Sequence, residues 1–374
     1  MFSHDDIAAV TKPLAQASTL PPSAYFNPAV FDEEVRALFQ REWVCVAREE
    51  QLAEPGQYRS VEVGRQPLIV ARQADESIRA MSAICPHRGM PVVSDHGQAS
   101  TFSCPYHLWK FGLDGRLISA PLMDEVEGFP ETDCGLAPIQ VACWQGFVFV
   151  NLNPDAPPLA DRLGDLTALM NGYDMHDMVI AGSVDFDCPW NWKVLVENFM
   201  EAYHHIGPHN ESLQSTYPAT RSNVSGSVRD GWSVLHMPSV QEDDTGLPPL
   251  PNLTERQAGE ITASVIMPTF CWINSPAVAF WYQLNPKAHN DMDLTIHALI
   301  PRSLAESELG ADIGALVLDS VKHIHLEDIP VNEGPWRGQQ APLTKQGRLS
   351  LLEESIWQLN NWWVQRVARE QAGA

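Results

Sequence analysis

The sequence predicts an α+β protein in which a small antiparallel β domain accompanies a larger mixed domain. From about residue 56 to 150, short alternating apolar runs lie between Gly, Pro and Asp turns, which is typical of an antiparallel β domain. Beyond the proline-rich stretch NPDAPPLADRLG, helical and strand patterns are mixed. A length of 374 residues fits about two domains at roughly 150 residues each.

The periodicity predicts the elements in order. An amphipathic helix is expected over 30–43, followed by the β domain over 44–155 and the mixed domain over 156–374. We expect residues 1–43 to be a helical part of the mixed domain. Within that domain, helical patterns span 190–204, 312–328 and 349–369, and strand patterns span 270–274, 278–284 and 292–300.

The charge balance excludes several classes of partner. The 47 acidic residues against 24 basic ones give a net charge of -23, whereas phosphate backbones and anionic membranes attract clustered Lys and Arg. No nucleic-acid or membrane partner is therefore expected. The seven cysteines form an odd set, and the sequence begins without a basic, apolar leader, so a reduced, cytoplasmic protein is expected.

The first chemical motif comprises two mixed pairs of metal ligands. Cys85 and His87 form one pair, and Cys104 and His107 form the second, each on a Pro-containing turn of the β domain. Structural zinc sites use the same ligand types. A cluster of two irons and two sulfides fits the mixed pairs better, with both thiolates on one iron and both imidazoles on the other.

The second motif lies in the segment WNWKVLVENFMEAYHHIGPH over 190–209. Two histidines and one carboxylate can hold a ferrous ion on one face and leave the other face open for dioxygen and substrate. On an unbroken helix His205 and His209 would share a face, but Gly207 and Pro208 interrupt it. The spacing alone leaves open which two histidines are ligands.

The carboxylate ligand is expected from ALVLDSVKHIHLEDIPVNE. Asp328 continues the inward stripe of Val317, Val321 and Ile324, and a buried carboxylate is costly unless it is paired or bound to metal. Asp328 is therefore the preferred ligand, and Glu327, on the adjacent face, is the alternative.

A substrate pocket is the least determined feature. Phe270, Trp272, Phe280 and Tyr282 can line an apolar cavity over the iron, or they can be ordinary sheet core. No Gly-rich dinucleotide fingerprint accompanies a βαβ pattern. Electrons are thus expected from a separate protein.

The motifs CPHRGM and CPYHLWKFGLDGRL resemble the Rieske motif of the Rieske non-haem iron oxygenases, and the similarity extends over nearly the whole chain. One departure is Leu108, where the family usually has Gly. The resemblance implies a Rieske [2Fe-2S] cluster in the β domain. It also implies a catalytic domain in which a curved antiparallel sheet grips a long helix.

The family pattern E/D-x-x-H-x-x-x-x-H maps onto Glu201, His204 and His209. The resemblance thus implies that His204, His209 and Asp328 bind a mononuclear Fe(II), with His205 a neighbour that can face the pocket. It implies that Glu201 bridges this site to the Rieske histidine of a neighbouring subunit in a homotrimer.

The expected activity is that of a terminal oxygenase component. It would use O2, and electrons from an NAD(P)H-dependent reductase with or without a ferredoxin, to hydroxylate a small aromatic or heteroaromatic compound. The alternative is a monooxygenase that removes an O- or N-methyl group. From other classes, the alternatives are a Rieske electron carrier, which would leave the second motif unexplained, and a zinc-stabilised binding protein.

Overall fold

The computed structural model describes residues 2–129, 134–241 and 246–368. It divides into two compact units, one of Met1–Leu38 with Pro158–Ala374 and the other of Phe39–Pro157. Below, these are called the catalytic unit and the β unit. The predicted α+β class is confirmed.

The β unit contains two antiparallel sheets. One sheet has the strand order β1-β10-β9-β4-β3-β2-β5, and the other has the order β6-β7-β8. The strands are β1 (Val44–Arg48), β2 (Gln57–Val63), β3 (Gln66–Arg72), β4 (Ile78–Ser82), β5 (His96–Gln98), β6 (Thr101–Ser103), β7 (Lys110–Gly112), β8 (Leu117–Ser119), β9 (Pro138–Trp144) and β10 (Phe147–Asn151).

Two apolar clusters fill the β unit. One lies on the larger sheet and includes Leu68, Val70 and Val148. The other includes Cys85 and Cys104. The thiols predicted as cluster ligands are thus part of a packed core, which fixes the two loops that carry them.

The catalytic unit is built on one seven-stranded antiparallel sheet of order β11-β17-β16-β15-β14-β13-β12. Its strands are β11 (Met178–Cys188), β12 (Asn223–Ser227), β13 (Trp232–Pro238), β14 (Glu260–Ile266), β15 (Phe270–Asn274), β16 (Ala279–Ala288) and β17 (Asp291–Pro301). Side chains alternate between the two faces of this sheet, and Phe280, Ala298 and Ile300 lie on the face that packs against the long helix over 310–339.

Ten α-helices accompany the sheet among the described residues, and none of them is both long and apolar enough to cross a membrane. They are α1 (His4–Val10), α2 (Ser23–Phe26), α3 (Pro28–Glu34), α4 (Leu159–Leu163), α5 (Asp165–Met170), α6 (Trp192–Phe199), α7 (Glu255–Ala258), α8 (Arg302–Ala305), α9 (Gly310–Gln339) and α10 (Glu354–Trp363).

Helix α9 packs across β11 and β17. Val317 of the helix is buried with Ala298 and Ile300 of β17, and Phe280 of β16 packs against the same cluster. The sequence pattern predicted an end near residue 328, but the helix continues through Pro330 and Pro335. Each proline lacks an amide hydrogen and so costs a helical hydrogen bond. The helix nevertheless spans both positions.

A buried ion pair ties α3 to α6. The Lys193 ammonium contacts the Glu34 carboxylate, and neither side chain is exposed. Trp192 Nε1 and Trp363 Nε1 also donate to Glu34, at 3.0 and 2.7 Å. Because a buried carboxylate with several donors is well compensated, this network fixes the start of the helix that leads into the histidine segment.

Candidate metal centres

The first ligand loop of the β unit carries Cys85 and His87. The Cys85 amide donates to the Met90 carbonyl at 2.8 Å, and the Gly89 amide donates to the Cys85 carbonyl at 3.0 Å. Gly89 adopts a left-handed conformation with φ of 74°. Two backbone hydrogen bonds therefore close a tight loop around the thiol.

The second loop repeats this geometry with Cys104 and His107. The Cys104 amide donates to the Trp109 carbonyl at 2.8 Å, and the Leu108 amide donates to the Cys104 carbonyl at 3.0 Å. Leu108, four residues after its cysteine, has φ of 61° and so occupies the position of Gly89 in the first loop. The family's usual glycine at position 108 follows from this conformation, which favours residues without a Cβ.

Replacing Leu108 by glycine is expected to stabilise the β unit. A left-handed leucine costs about 1–2 kcal/mol, and glycine costs about 0.5–1 kcal/mol in unfolded-state entropy, so a net gain of about 0.5–1 kcal/mol is expected. The urea midpoint at which the cluster absorption is lost measures this. Ser103→Gly, on the exposed face of β6, is the control and should lower the midpoint. A midpoint for Leu108→Gly as low as the control's would contradict the prediction.

The four predicted cluster ligands are arranged in two like pairs. The rings of His87 and His107 lie 4.6 Å apart, and the Cys85 and Cys104 thiols are each 1% exposed. Burial raises the pKa of the Cys85 thiol, and the Cys104 thiol raises it further. The thiols thus face each other in the core while the imidazoles lie toward the surface.

Aromatic side chains hold both imidazoles. His87 stacks on Trp109 with 4° between the planes, and His107 stacks on Tyr106 at 3.8 Å. His107 Nδ1 is buried and has no hydrogen-bond partner among the described residues. An unpaired buried nitrogen of this kind fits a metal ligand.

These pairs fit a cluster better than a single ion. Of the residues that the structure describes, only His204, His209 and Asp328 bring three ligand atoms within 4.8 Å of one another. The Cys and His pairs of the β unit do not converge on one point in this way. The donor set is therefore that of a two-iron cluster with unlike ends, not that of tetrahedral zinc.

The second centre begins where α6 ends. The helix stops at Phe199, short of the predicted residue 204, and Tyr203–Ile206 form a 3₁₀ turn. Glu201 accepts the His204 amide at 2.9 Å and contacts His204 Nδ1 at 2.6 Å. Glu201 and His204 therefore meet through a turn, and not along one face of an α-helix.

Three ligand atoms converge in this centre. Asp328 Oδ1 lies 3.0 Å from His209 Nε2 and 3.6 Å from His204 Nε2. Two ligand atoms about 2.1 Å from one ion, at a right angle, lie about 3.0 Å apart. The two imidazoles and the carboxylate therefore fit a facial 2-His-1-carboxylate site.

Neighbouring groups complete this centre. Asn198 donates to Asp328 Oδ1 at 3.3 Å. Burial raises the pKa of Asp328, but the His209 hydrogen bond and the His204 charge lower it below the usual range. Burial lowers the pKa of His209, and the hydrogen bonds with Asp328 and Glu327 raise it above the usual range.

Three further histidines of the two ligand segments, His205, His323 and His325, are not members of the three-ligand group. His205 is buried, and its Nδ1 lies 2.9 Å from the Tyr217 carbonyl oxygen. Burial lowers the pKa of His205 to about 4. His325 is buried, and its Nε2 has no partner in the described part of the chain. His323 is exposed and lies 3.7 Å from Glu327.

The four aromatic residues predicted to line one cavity lie on opposite faces of the sheet. The register pairs Trp272 with Trp281, so Trp272 and its stacked neighbour Phe270 share the face of Trp281. Phe280 and Tyr282, one residue to either side of Trp281, point to the other face. The prediction of one common cavity wall is wrong because strand alternation separates the two pairs.

Phe280 and Tyr282 lie on the sheet face that packs against α9. Tyr282 packs on Phe199 of α6 with ring centroids 4.8 Å apart, and it contacts His325 of α9 edge-on. Burial raises the pKa of Tyr282, and the Asp328 carboxylate raises it further. Phe186 packs against His325 at 4.4 Å. Phe199, Phe186 and His325 are members of this layer that the sequence pattern did not single out as pocket residues.

Two parts of the chain match models of known protein domains. Residues 42–130 match the Rieske [2Fe-2S] domain, and residues 175–369 match the ring hydroxylating alpha subunit (catalytic domain). Together the two domains imply a Rieske cluster and a mononuclear iron.

Two curated relatives are oxygenase subunits. The carnitine monooxygenase oxygenase subunit of Acinetobacter pittii (strain PHEA-2) is 36% identical over 195 residues, which are 51% of this chain and 52% of the relative. The glycine betaine monooxygenase oxygenase subunit of Pseudomonas aeruginosa (strain UCBPP-PA14) is 32% identical over 198 residues, which are 53% of this chain and 46% of the relative. The chain thus spans about half the length of the curated relatives it matches.

A solved structure is similar over nearly the full chain. The quaternary ammonium Rieske monooxygenase CntA in complex with L-carnitine has a TM-score of 0.80 and 25% identity, covering 98% of this chain and 99% of that one. The catalytic-domain match covers more than half of the 374 residues. The chain therefore belongs to the family of ring-hydroxylating alpha subunits that carry a Rieske domain.

Proposed function

We propose that the chain is the terminal oxygenase component of a multicomponent Rieske non-haem iron system. One observation carries this proposal: His204, His209 and Asp328 converge in the catalytic unit, in a chain whose β unit holds a separate Cys and His set. An electron carrier needs only the Cys and His set of the β unit. A mononuclear ligand set with an open side is the arrangement that dioxygen and substrate require.

The bound groups would supply one-electron transfer from the cluster and dioxygen activation at the ferrous ion. The chain's own residues would do the rest. His204, His209 and Asp328 would hold the ion on one side. The buried thiols and surface-facing imidazoles of the β unit would make the histidine end the exit for electrons, because only that end approaches the surface.

We infer that the preferred substrate is a small N-methylated cation. This inference rests on the similarity to carnitine and glycine betaine monooxygenase subunits, and on the aromatic layer of Phe199, Tyr282 and Phe186 beside the acidic centre. Aromatic faces attract quaternary ammonium groups. Glu201 and Glu327 place two further carboxylates beside His204 and His209, so with Asp328 the centre would keep a net negative charge when a ferrous ion is bound.

The proposed reaction balances with two external electrons. The substrate carbon bonded to nitrogen takes one oxygen atom of O2, and two electrons and two protons convert the other atom to water. When that carbon is a methyl group, the resulting N-hydroxymethyl group loses its C–N bond. A tertiary amine, formaldehyde and a proton then leave.

A second candidate is hydroxylation of an aromatic or heteroaromatic ring, which was the first expectation from the sequence. The family's description as ring-hydroxylating supports it, and the same apolar aromatic layer would accept a planar ring. The two candidates share both metal centres and differ only in the substrate that would bind beside the mononuclear centre.

The proposal includes partner proteins. Electrons would come from a separate NAD(P)H-dependent reductase, with or without a ferredoxin. The chain would form a homotrimer in which Glu201 of one copy connects its His204 to the Rieske histidine of the next. The 2.6 Å contact between Glu201 and His204 Nδ1 supports the half of this connection that lies within one chain.

Steady-state turnover with a substrate panel tests the proposal. The protein, a surrogate ferredoxin and its reductase are supplied with NADPH and with choline, glycine betaine, L-carnitine, indole or biphenyl. We expect substrate-dependent O2 uptake with release of a tertiary amine, and of formaldehyde where a methyl is oxidised. Hydroxylated rings without amine release would favour the second candidate. Cluster reduction without substrate-dependent O2 uptake from any compound would contradict both.

A further inference from the structure

We propose that Glu327, anchored by Ser212, is the positioning residue that orients His209 toward the metal. This inference rests on the proposed iron site, and it assigns a role to the carboxylate that the sequence offered as the alternative ligand. In this role Glu327 contacts His209 Nδ1, the ring nitrogen that would not bind the ion.

The contacts around Glu327 are short and mutually consistent. Glu327 Oε2 lies 2.6 Å from His209 Nδ1, and the Ser212 hydroxyl donates to the same oxygen at 2.6 Å. Ser212 lies three residues after His209, where the Leu213 amide donates to the His209 carbonyl at 3.0 Å. The carboxylate is thus held from two points on one turn.

These contacts decide which nitrogen of His209 carries hydrogen. An ionised carboxylate only accepts hydrogen bonds, so Nδ1 must donate to Glu327. In the neutral imidazole, Nε2 is then the acceptor and is free to bind a metal. Nε2 is also the atom that faces Asp328, at 3.0 Å. A histidine that binds metal usually donates its other nitrogen to a carboxylate in this way.

Two adjacent carboxylates of α9 therefore have different roles, Asp328 as a metal ligand and Glu327 as a positioning residue. Asp328 faces the convergence point of the two imidazoles, whereas Glu327 reaches the opposite edge of the His209 ring. Burial supports the need for such a partner, because His209 is 1% exposed and water cannot hold its ring in one orientation. Glu201 makes the equivalent contact to His204 Nδ1, so each imidazole has its own glutamate.

Ferrous affinity of the full-length protein tests the proposal. The mononuclear site is emptied, and Fe(II) binding is followed anaerobically by equilibrium dialysis, with cluster absorption as the internal measure of folded protein.

Glu327→Ala should weaken binding by about 10–100-fold. Glu327→Gln should weaken it less, because the amide oxygen still accepts from Nδ1. Ser212→Ala should give a smaller loss than Glu327→Ala. Glu333→Gln, an exposed glutamate of the same helix, is the matched control and should bind like the wild type.

A spectroscopic measurement separates positioning from ligation. The electron paramagnetic resonance spectrum of the ferrous protein with nitric oxide should change in Glu327→Ala and return toward that of the wild type in Glu327→Gln. Wild-type affinity and an unchanged spectrum for Glu327→Ala would overturn the proposal. So would complete loss of iron in both variants, since Glu327 would then be a ligand. If the wild type itself bound no Fe(II), the proposed function would fail as well.

Discussion

Asp328→Ala is expected to lose the mononuclear iron and to reduce product formation to below about one hundredth of the wild-type rate. The physical reason is that, among the residues the structure describes, Asp328 alone brings a carboxylate oxygen to the convergence point of His204 and His209. Two imidazoles alone leave a site with weaker charge and no facial geometry. Iron and sulfide analysis should show the total iron falling from three to two per chain, with two sulfides retained.

The control for this experiment is Asp319→Ala, which removes an exposed aspartate from the same helix. It should keep three irons and the wild-type rate. Asp328→Ala protein that retained the third iron and its activity would show that another residue completes the ligand set. Loss of the cluster in Asp328→Ala would instead indicate general unfolding, and Asp328→Asn then serves as the less disruptive variant.

Glu201→Ala is expected to leave the cluster reducible but to slow its reoxidation by substrate and O2 by about 100-fold. The Glu201 carboxylate contacts His204 Nδ1 at 2.6 Å, so its removal frees that ring and breaks the proposed connection to the neighbouring subunit. Stopped-flow absorption of the cluster measures this rate. Excess ferrous iron should be present, so that weaker metal binding does not contribute.

Two further variants serve as comparisons for Glu201→Ala. Glu201→Asp keeps the carboxylate and should recover part of the rate, whereas Glu211→Ala removes an exposed glutamate nearby and should change nothing. Full activity in Glu201→Ala would contradict the proposed connection. Wild-type turnover by an isolated monomer would contradict it too.

Much of this architecture was predictable because its chemistry is local in sequence. Each Cys and His pair lies within four residues, so one turn fixes its geometry, and its residue types point to a cluster. The strand periods of 270–274, 278–284 and 292–300 correspond to β15, β16 and β17, since alternation is a strong pattern in buried strands. Val317 and Val321 are buried as the predicted inward stripe requires.

The features that were missed depend on contacts between distant segments. The register of β15 against β16 decides that Trp272 and Tyr282 face opposite ways, and nothing in either strand alone specifies that pairing. The role of Glu327 depends on a side chain 118 residues earlier, His209. The helical pattern was expected to end at residue 328, but α9 runs on to residue 339 through Pro330 and Pro335.

Position 108 shows both the use and the limit of a motif. The comparison with the family identified the departure from glycine. The backbone conformation explains why glycine is usual at position 108, because Leu108 and Gly89 occupy equivalent left-handed positions in two similar loops. The leucine side chain is 65% exposed, so no core packing compensates for the conformation.

A single turnover with labelled dioxygen tests the central claim most directly. The cluster is reduced anaerobically, excess reductant is removed, and the protein is mixed with a quaternary ammonium substrate and ¹⁸O₂. The account predicts cluster reoxidation together with a product that carries one labelled oxygen atom, found in formaldehyde when a methyl group is lost. Two results together would contradict it. The cluster would be reoxidised at the same rate with and without substrate, and neither the quaternary ammonium compounds nor the aromatic compounds would give a labelled organic product.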